Sequence, residues 1–223
     1  MGCSGDRHST TPLTSLQRDL LDAFFERESG FFLTGGAALA GFYLHHRETN
    51  DLDLFTSDPE MLERGHHSLL DAVSSLGASW EIRQEAPGFR RYVVARGDEM
   101  VVVDLVLDRA APLHRDKHRV GSIRMDPADE ILVNKLCALV GRAEIRDLVD
   151  VMALEETGLR VEDALDAALA KDGGCTPASL AWVLSQIRVS EGSRLPGGVD
   201  PGALEHWLDG LVKRLRGAAL PRP

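Results

Sequence analysis

Two carboxylates two residues apart are the chemical centre of this chain. Asp51 and Asp53 lie in Asn50-Asp51-Leu52-Asp53-Leu54-Phe55, a stretch that alternates polar and apolar as a strand does. Alternate strand residues share a face, which sets the carboxylates side by side, roughly 6–7 Å apart at Cα. Hard oxygen donors so placed suit one or two Mg²⁺ ions, which in turn hold nucleotide phosphates. Fourteen residues separate Asp51 from a glycine pair, Gly35-Gly36, that follows the apolar run Phe31-Phe32-Leu33. Glycine at a strand-to-helix turn lets the backbone approach a ligand closely, and bare amides at the helix start favour an anion. A phosphate turn followed by metal carboxylates is an order suited to nucleotidyl transfer. Thr49 lies near enough to Asp51 to touch phosphate or ribose.

The elements that must carry these groups follow from periodicity. A first helix over 12–27 has Leu13, Leu16, Leu20, Leu21, Phe24 and Phe25 at helical spacing, with Thr11 or Thr14 as cap. Then come strand 31–33, helix 37–45, strand 50–55 and a helix over 57–76 that stops at Gly77. Strands 80–84, 89–96 and 100–107 follow, with Pro87-Gly88 and Gly97-Asp98 as turns. The last of these is apolar almost throughout, as a central strand is. Its Asp104 needs a partner, since a buried unpaired charge is costly; Asp51 and Asp53 with a cation are one candidate, Arg90 or Arg91 another. Residues 108–119 read as a polar loop and 120–125 as an edge strand. A long helix opens at Asp126-Pro127 and runs on past Gly141, a possible break. Unbroken, it sets Lys135, Leu139, Arg142 and Arg146 on one face. A lysine amid Ile131, Leu132, Val133, Leu136 and Leu139 suggests a cation aimed at an anion such as triphosphate. Amphipathic helices over 161–171, 177–188 and 200–216 complete the chain, with Trp182 and Trp207 read as core.

The stretches Leu33-Thr34-Gly35-Gly36-Ala37-Ala38-Leu39 and Arg47-Glu48-Thr49-Asn50-Asp51-Leu52-Asp53-Leu54 resemble the AbiEii/AbiGii toxin family, within the DNA polymerase beta-like nucleotidyltransferases. So do Lys135, Ala138-Leu139, Arg142 and Arg146-Asp147-Leu148-Val149-Asp150, in that order. The resemblance spans about residues 30–155. It implies an α+β fold: a polymerase beta-like nucleotidyltransferase core of mixed sheet flanked by helices, with a C-terminal helical region. The implied organisation is a disordered tail 1–11, a core 12–125, and a helical region 126–223 completing the active site. It implies an Mg²⁺-dependent enzyme moving a nucleoside monophosphate from an NTP to an acceptor, most plausibly the tRNA 3′ end, with a protein second. Asp51, Asp53 and Asp104 would be the metal ligands of two ions. Asp104 would also serve as base for the attacking hydroxyl, with Asp108 behind it. Lys135 would be catalytic and contact phosphate, and Gly35, Gly36, Thr49 and Arg142 would complete the nucleotide site. Asp147 and Asp150, three apart on one helix face, would hold Arg142 or Arg146 in place. An antitoxin protein would be the partner. Two other readings stay open: an antibiotic-type small-molecule nucleotidyltransferase, and a non-catalytic nucleotide-binding regulatory module.

Composition narrows the partners. With 25 Lys and Arg against 35 Asp and Glu the net charge is −10, which argues against general DNA binding. Local basic patches could come from Arg83, Arg90, Arg91 and Arg96, or from His114, Arg115, Lys117, His118 and Arg119, although both also fit solvated surface. Cys3, Cys137 and Cys175 are too widely spaced for a zinc ribbon or disulfide framework, and reduced thiols fit a cytoplasmic protein. Cys137 reads as core, and His66 and His67 as surface. No apolar run is long enough to span a membrane.

Overall fold

The computed structural model describes residues 12–220. The expected tail 1–11, and Cys3 within it, lie outside the described residues. Helix α1 (Ser15–Arg27) opens on a capping box: Gln17 N–H donates to the Thr14 hydroxyl, and Thr14 N–H to the Gln17 amide. The same Gln17 is buried and donates from Nε2 to the Thr49 carbonyl at 2.8 Å. One residue thus starts the helix and anchors the loop before Asp51.

Seven strands form one mixed sheet: β1 (Phe32–Thr34), β2 (Asp51–Thr56), β3 (Ser79–Ala86), β4 (Phe89–Arg96), β5 (Glu99–Leu107), β6 (His118–Val120) and β7 (Ile123–Met125), in spatial order β3-β4-β5-β2-β1-β7-β6. Strands β2 and β5 pair in parallel, as do β1 and β7; the other neighbours are antiparallel. The expected edge strand over 120–125 is instead a tight hairpin: Gly121 (φ +60°) turns β6 back onto β7, and β7 is internal. The apolar strand β5 lies inside the sheet, between β4 and β2.

Strand alternation divides the sheet. Leu33, Leu52 and Leu54 are fully buried beneath α1 and α3 (Met61–Ser75), and each such leucine contributes roughly 2 kcal/mol. The opposite face of β2 presents Asp51, Asp53 and Phe55. Between β1 and β2 the chain makes α2 (Gly35–Ala38) and a π-helical turn over Leu39–Tyr43, shorter than the expected helix 37–45.

The single helix expected from residue 126 onward is two. Helix α4 (Ala128–Arg142) ends at Ala143, whose φ of +48° is left-handed, and α5 (Ile145–Glu156) starts at once. The break falls after Gly141, not at it. Helices α6 (Val161–Lys171), α7 (Pro177–Leu184) and α8 (Pro201–Ala218) pack behind α4 and α5. Asp200 caps α8 and Thr176 caps α7, both over a proline in the first turn. Trp182, read as core, is 69% exposed, because α7 turns Leu180, Ala181 and Leu184 inward. Trp207 is half-buried, its Nε1 donating to Glu155 at 2.9 Å. His66 is not a free surface histidine: its Nδ1 meets the Tyr92 hydroxyl at 2.7 Å, and burial pushes its pKa down. His67 stays exposed.

Candidate active site

The sheet register brings the three predicted carboxylates together. Asp53 pairs across β2–β5 with Asp104, and Asp51 lies two residues along the same face. Asp104 is 5% exposed. Its oxygens accept from Arg91 Nε and Nη2 at 2.8 and 2.7 Å, a bidentate fork between residues directly opposite on β4 and β5. Of the two partners open to Asp104, Arg91 is therefore the one in contact. The β4–β5 turn at Gly97-Asp98 places Arg91 across from Asp104 by simple register, a signal present in the sequence. Thr49 donates to Asp51 Oδ1 at 2.7 Å, so it orients a carboxylate. Asp51 also receives Arg146 at 3.2 Å.

The glycine turn abuts these acids. Gly35 has φ +65°, and a Cβ there would strike the Asp53 carboxylate. A Cβ on Gly36 would meet the Arg47 guanidinium. Alanine at position 35 should cost about 1–2 kcal/mol from the left-handed backbone alone, and more from displacing Asp53. The melting temperature of Gly35→Ala should fall, whereas Gly141→Ala, helical and with open space at its Cβ, should not lower it.

The cations converge from α4, α5 and the loop before β2. Lys135, 6% exposed, contacts Asp147 at 2.7 Å and Asp150 at 2.6 Å. Asp150 is fully buried and also accepts from Arg47 Nε and Nη2 at 2.6 and 2.8 Å, and it faces His46 Nε2 at 2.8 Å. Asp147 holds Arg142 at 2.9 Å. Lys135 and Arg142 therefore arrive together, while Arg146 comes from the next helix and is held by Asp51 and Glu144 instead of by Asp147 or Asp150. Leu139 is core. The break at Ala143 is what separates Arg146 from the face expected of one helix. The Arg47–Asp150 pair is the feature that sequence reading missed. Nothing local joins residues that far apart.

Charge on the acidic face is in excess. Burial pushes the Asp53 carboxyl up to about 7, and the negative charges of Asp51 and Asp104 push the same way, against Lys135 and Arg142. A carboxylate held up in this way gains from a cation. Among the described residues no three acidic, His or Cys side chains stand ready as a metal cage. Arg91 occupies both oxygens of Asp104, which leaves Asp51 and Asp53 as the hard oxygen donors that fit Mg²⁺.

A cleft of about 570 Å³ opens from these residues, lined by Gly35, Asp53, Phe55, Asn134, Lys135 and Arg142 among others. That is an ordinary size for a small-molecule site. Cys137, expected in the core, is half-buried and lines this cleft, with its thiol directed to the Ala168 carbonyl at 3.6 Å. Asp108 lies farther out in the same cleft and pairs with Lys171 at 3.3 Å. A smaller polar hollow of about 60 Å³ lies between Gly36, Asp51, Asp53, Asp104, Lys135 and Arg146. The basic cluster on β3–β4 is no open patch. Arg83 meets Glu81, Arg90 meets Glu63 and Glu85, and Arg96 meets Asp19 and Glu99.

A mixed sheet with paired carboxylates beside a glycine turn and basic helices defines a nucleotidyltransferase. The family model for the nucleotidyl transferase AbiEii toxin of type IV toxin–antitoxin systems matches residues 18–197, and the chain belongs to that family. Among curated proteins none matches. The fold is similar to that of JHP933 from Helicobacter pylori, 22% identical, covering 91% of this chain and 90% of that one, with a TM-score of 0.60. It is also similar to MenT4, a nucleotidyltransferase toxin of Mycobacterium tuberculosis H37Rv, 14% identical, covering 92% and 83%, with a TM-score of 0.53. Among the described residues no helix is long and apolar enough to cross a membrane.

Proposed function

We propose that this nucleotidyltransferase moves a nucleoside monophosphate from an NTP to a hydroxyl at the 3′ end of an RNA acceptor, with tRNA the first candidate. The observation that carries the reading is the one sheet face on which Asp51, Asp53 and Asp104 stand beside Gly35, within reach of Lys135 and Arg142 at the mouth of a nucleotide-sized cleft. The acceptor oxygen attacks the α-phosphorus, the α–β phosphoanhydride bond breaks, and pyrophosphate leaves. The hydroxyl proton passes to the acidic face, for which Asp104 is the candidate base.

Backbone at Gly35 and Gly36 receives phosphate: neither residue has a side chain of its own, and Asp53 and Arg47 pack directly against them. Asp51 and Asp53 would hold Mg²⁺, with Asp104 as the third ligand once Arg91 yields an oxygen. Bound there, Mg²⁺ would neutralise phosphate charge and make the acceptor hydroxyl easier to deprotonate. Thr49 keeps Asp51 aimed. Lys135 is held rigid by two carboxylates and offers preorganised positive charge to the transition state at no cost in reorganisation. Arg142 is anchored by Asp147 yet half-exposed, which suits a group that closes on phosphate. In a toxin–antitoxin pair the activity would be restrained by an antitoxin.

The test is purified protein with Mg²⁺ and each labelled NTP, offered total tRNA, protein or aminoglycosides. Label joined to tRNA on a denaturing gel is the expected result. Label on an aminoglycoside alone would favour a small-molecule enzyme, and NTP binding with no label passed to any acceptor would favour a regulatory module.

A further inference from the structure

A second cavity, of about 400 Å³, lies where β1 starts and β2 ends, with Phe32, Thr56, Ser57 and Met61 in its wall. Phe55 lines the nucleotide cleft and Phe32 lines this one, and the two rings stand 6.3 Å apart as cross-strand neighbours. Thr56, also in its wall, is three residues along β2 from Asp53, about 10 Å at strand rise. Arg115 and Arg124 line it. Arg119 stands directly opposite Arg124 in the β6–β7 hairpin.

That pairing is unusual. Like charges directly opposite on a sheet destabilise it, and in a chain of net charge −10 an acid would be easy to supply. Among the described residues no ion pair engages Arg109, Arg115, Arg119 or Arg124; Arg124 donates only to the Ser29 carbonyl. By contrast Lys117, in the same segment, is 4% exposed and spent on Asp126 and Glu130 at 2.6 and 2.9 Å. The unspent cations are all arginines, whose planar fork suits phosphate oxygens better than a lysine ammonium does. A bare guanidinium cluster beside an acidic active face is therefore placed for an anion that the active face itself repels.

We propose that Arg115, Arg119 and Arg124 form the subsite for the sugar-phosphate backbone of an RNA acceptor, holding it so that its 3′ end crosses the Phe32–Phe55 divide to reach Asp51 and Asp53. This rests on the function proposed above, its RNA acceptor included, and adds the residues that seat that acceptor. The experiment is binding of fluorescein-labelled total tRNA by anisotropy across a salt series, beside calorimetric binding of Mg²⁺-NTP. The proteins are wild type, the double variant Arg115→Glu/Arg119→Glu, and Arg115→Lys/Arg119→Lys. The glutamate variant should bind tRNA at least about 10-fold more weakly, with a shallower salt dependence by about 0.7–0.9 per lost phosphate contact. Its Mg²⁺-NTP binding should be unchanged, and the lysine variant should retain most tRNA affinity. Unchanged tRNA affinity and salt slope in the glutamate variant would overturn the assignment. So would a lysine variant as weak as the glutamate one, or modification of a protein acceptor impaired while tRNA is not. Failure of wild type to bind Mg²⁺-NTP would strike the active-site reading alone and leave the tRNA result to be judged separately.

Discussion

Asp53→Asn should abolish nucleotide transfer while leaving the protein folded and, without metal, more stable than wild type. Asp53 stands between Thr34 on β1 and Asp104 on β5, with Asp51 on the same face. Loss of its charge removes a donor from the proposed cation site. The rate should fall by about 10²–10³-fold, the scale for losing one preorganised electrostatic contact. Stability should move the other way. Burial and two neighbouring carboxylates hold the Asp53 carboxyl up to about 7. The folded state then keeps its proton more tightly than the unfolded chain does. The stability Asp53 contributes is fully present below the ordinary carboxylate pKa and is lost as pH rises towards 7. Asparagine has no such loss, so at pH 8 in chelator the variant should melt higher, by about 2–4 °C for each kcal/mol recovered. Mg²⁺ should raise the melting point of wild type and not of the variant. A variant that transfers nucleotide at the wild-type rate would end the metal assignment. Asp51→Ala should lose transfer similarly, without the gain in melting point, because it gives up the contacts with Thr49 and Arg146.

Asp150→Ala should produce the largest loss of stability of any substitution at the site. Asp150 is fully buried and takes both forks of Arg47, the imidazole of His46 and the ammonium of Lys135. Burial alone would raise its pKa, but the hydrogen bonds from Arg47 and His46 and the charges of Lys135 and Arg47 outweigh it and push it far below the carboxylate range. Its removal strands Arg47 as a buried cation and leaves Lys135 with Asp147 alone. Breaking such a pair from one side costs about 3–5 kcal/mol, or very roughly 6–20 °C in melting temperature for a chain of this size. Activity should fall with it, since Lys135 loses one of the two carboxylates that aim it. The same group sets an acid limit. A depressed carboxylate contributes stability above its unfolded pKa, near 4, and loses it as pH falls below that. Wild type should therefore lose melting temperature steeply below pH 4, and Asp150→Ala much less so. Equal melting temperatures at neutral pH would show that the network is dispensable.

Strand β2 and the glycine turn before it were legible because their signals are local. Gly35 and Gly36 mark a place where no side chain fits, and the structure shows which atoms fill that space, Asp53 and Arg47. Alternation over Asp51–Thr56 alone assigns the acids to one face. The caps Thr14, Thr176 and Asp200 lie within three residues of the amides they satisfy. Less legible were the break at Ala143 and the exposure of Trp182. No glycine or proline stands at Ala143, and the left-handed backbone there is imposed by packing α4 and α5 around Lys135, Asp147 and Asp150.

The amino-acid sequence by itself therefore carried the order of the parts: a glycine turn, then two carboxylates on alternate strand positions, then basic residues on a later helix. Periodicity and steric size act over a few residues and need no tertiary context. Tertiary structure alone decided the pairings among charges. Arg91 forks Asp104, Arg47 forks Asp150, and Arg146 reaches Asp51 because sheet register and helix docking bring together residues distant in the chain. Coulomb attraction chooses among partners only after packing has placed them within a few ångströms in a medium of low dielectric.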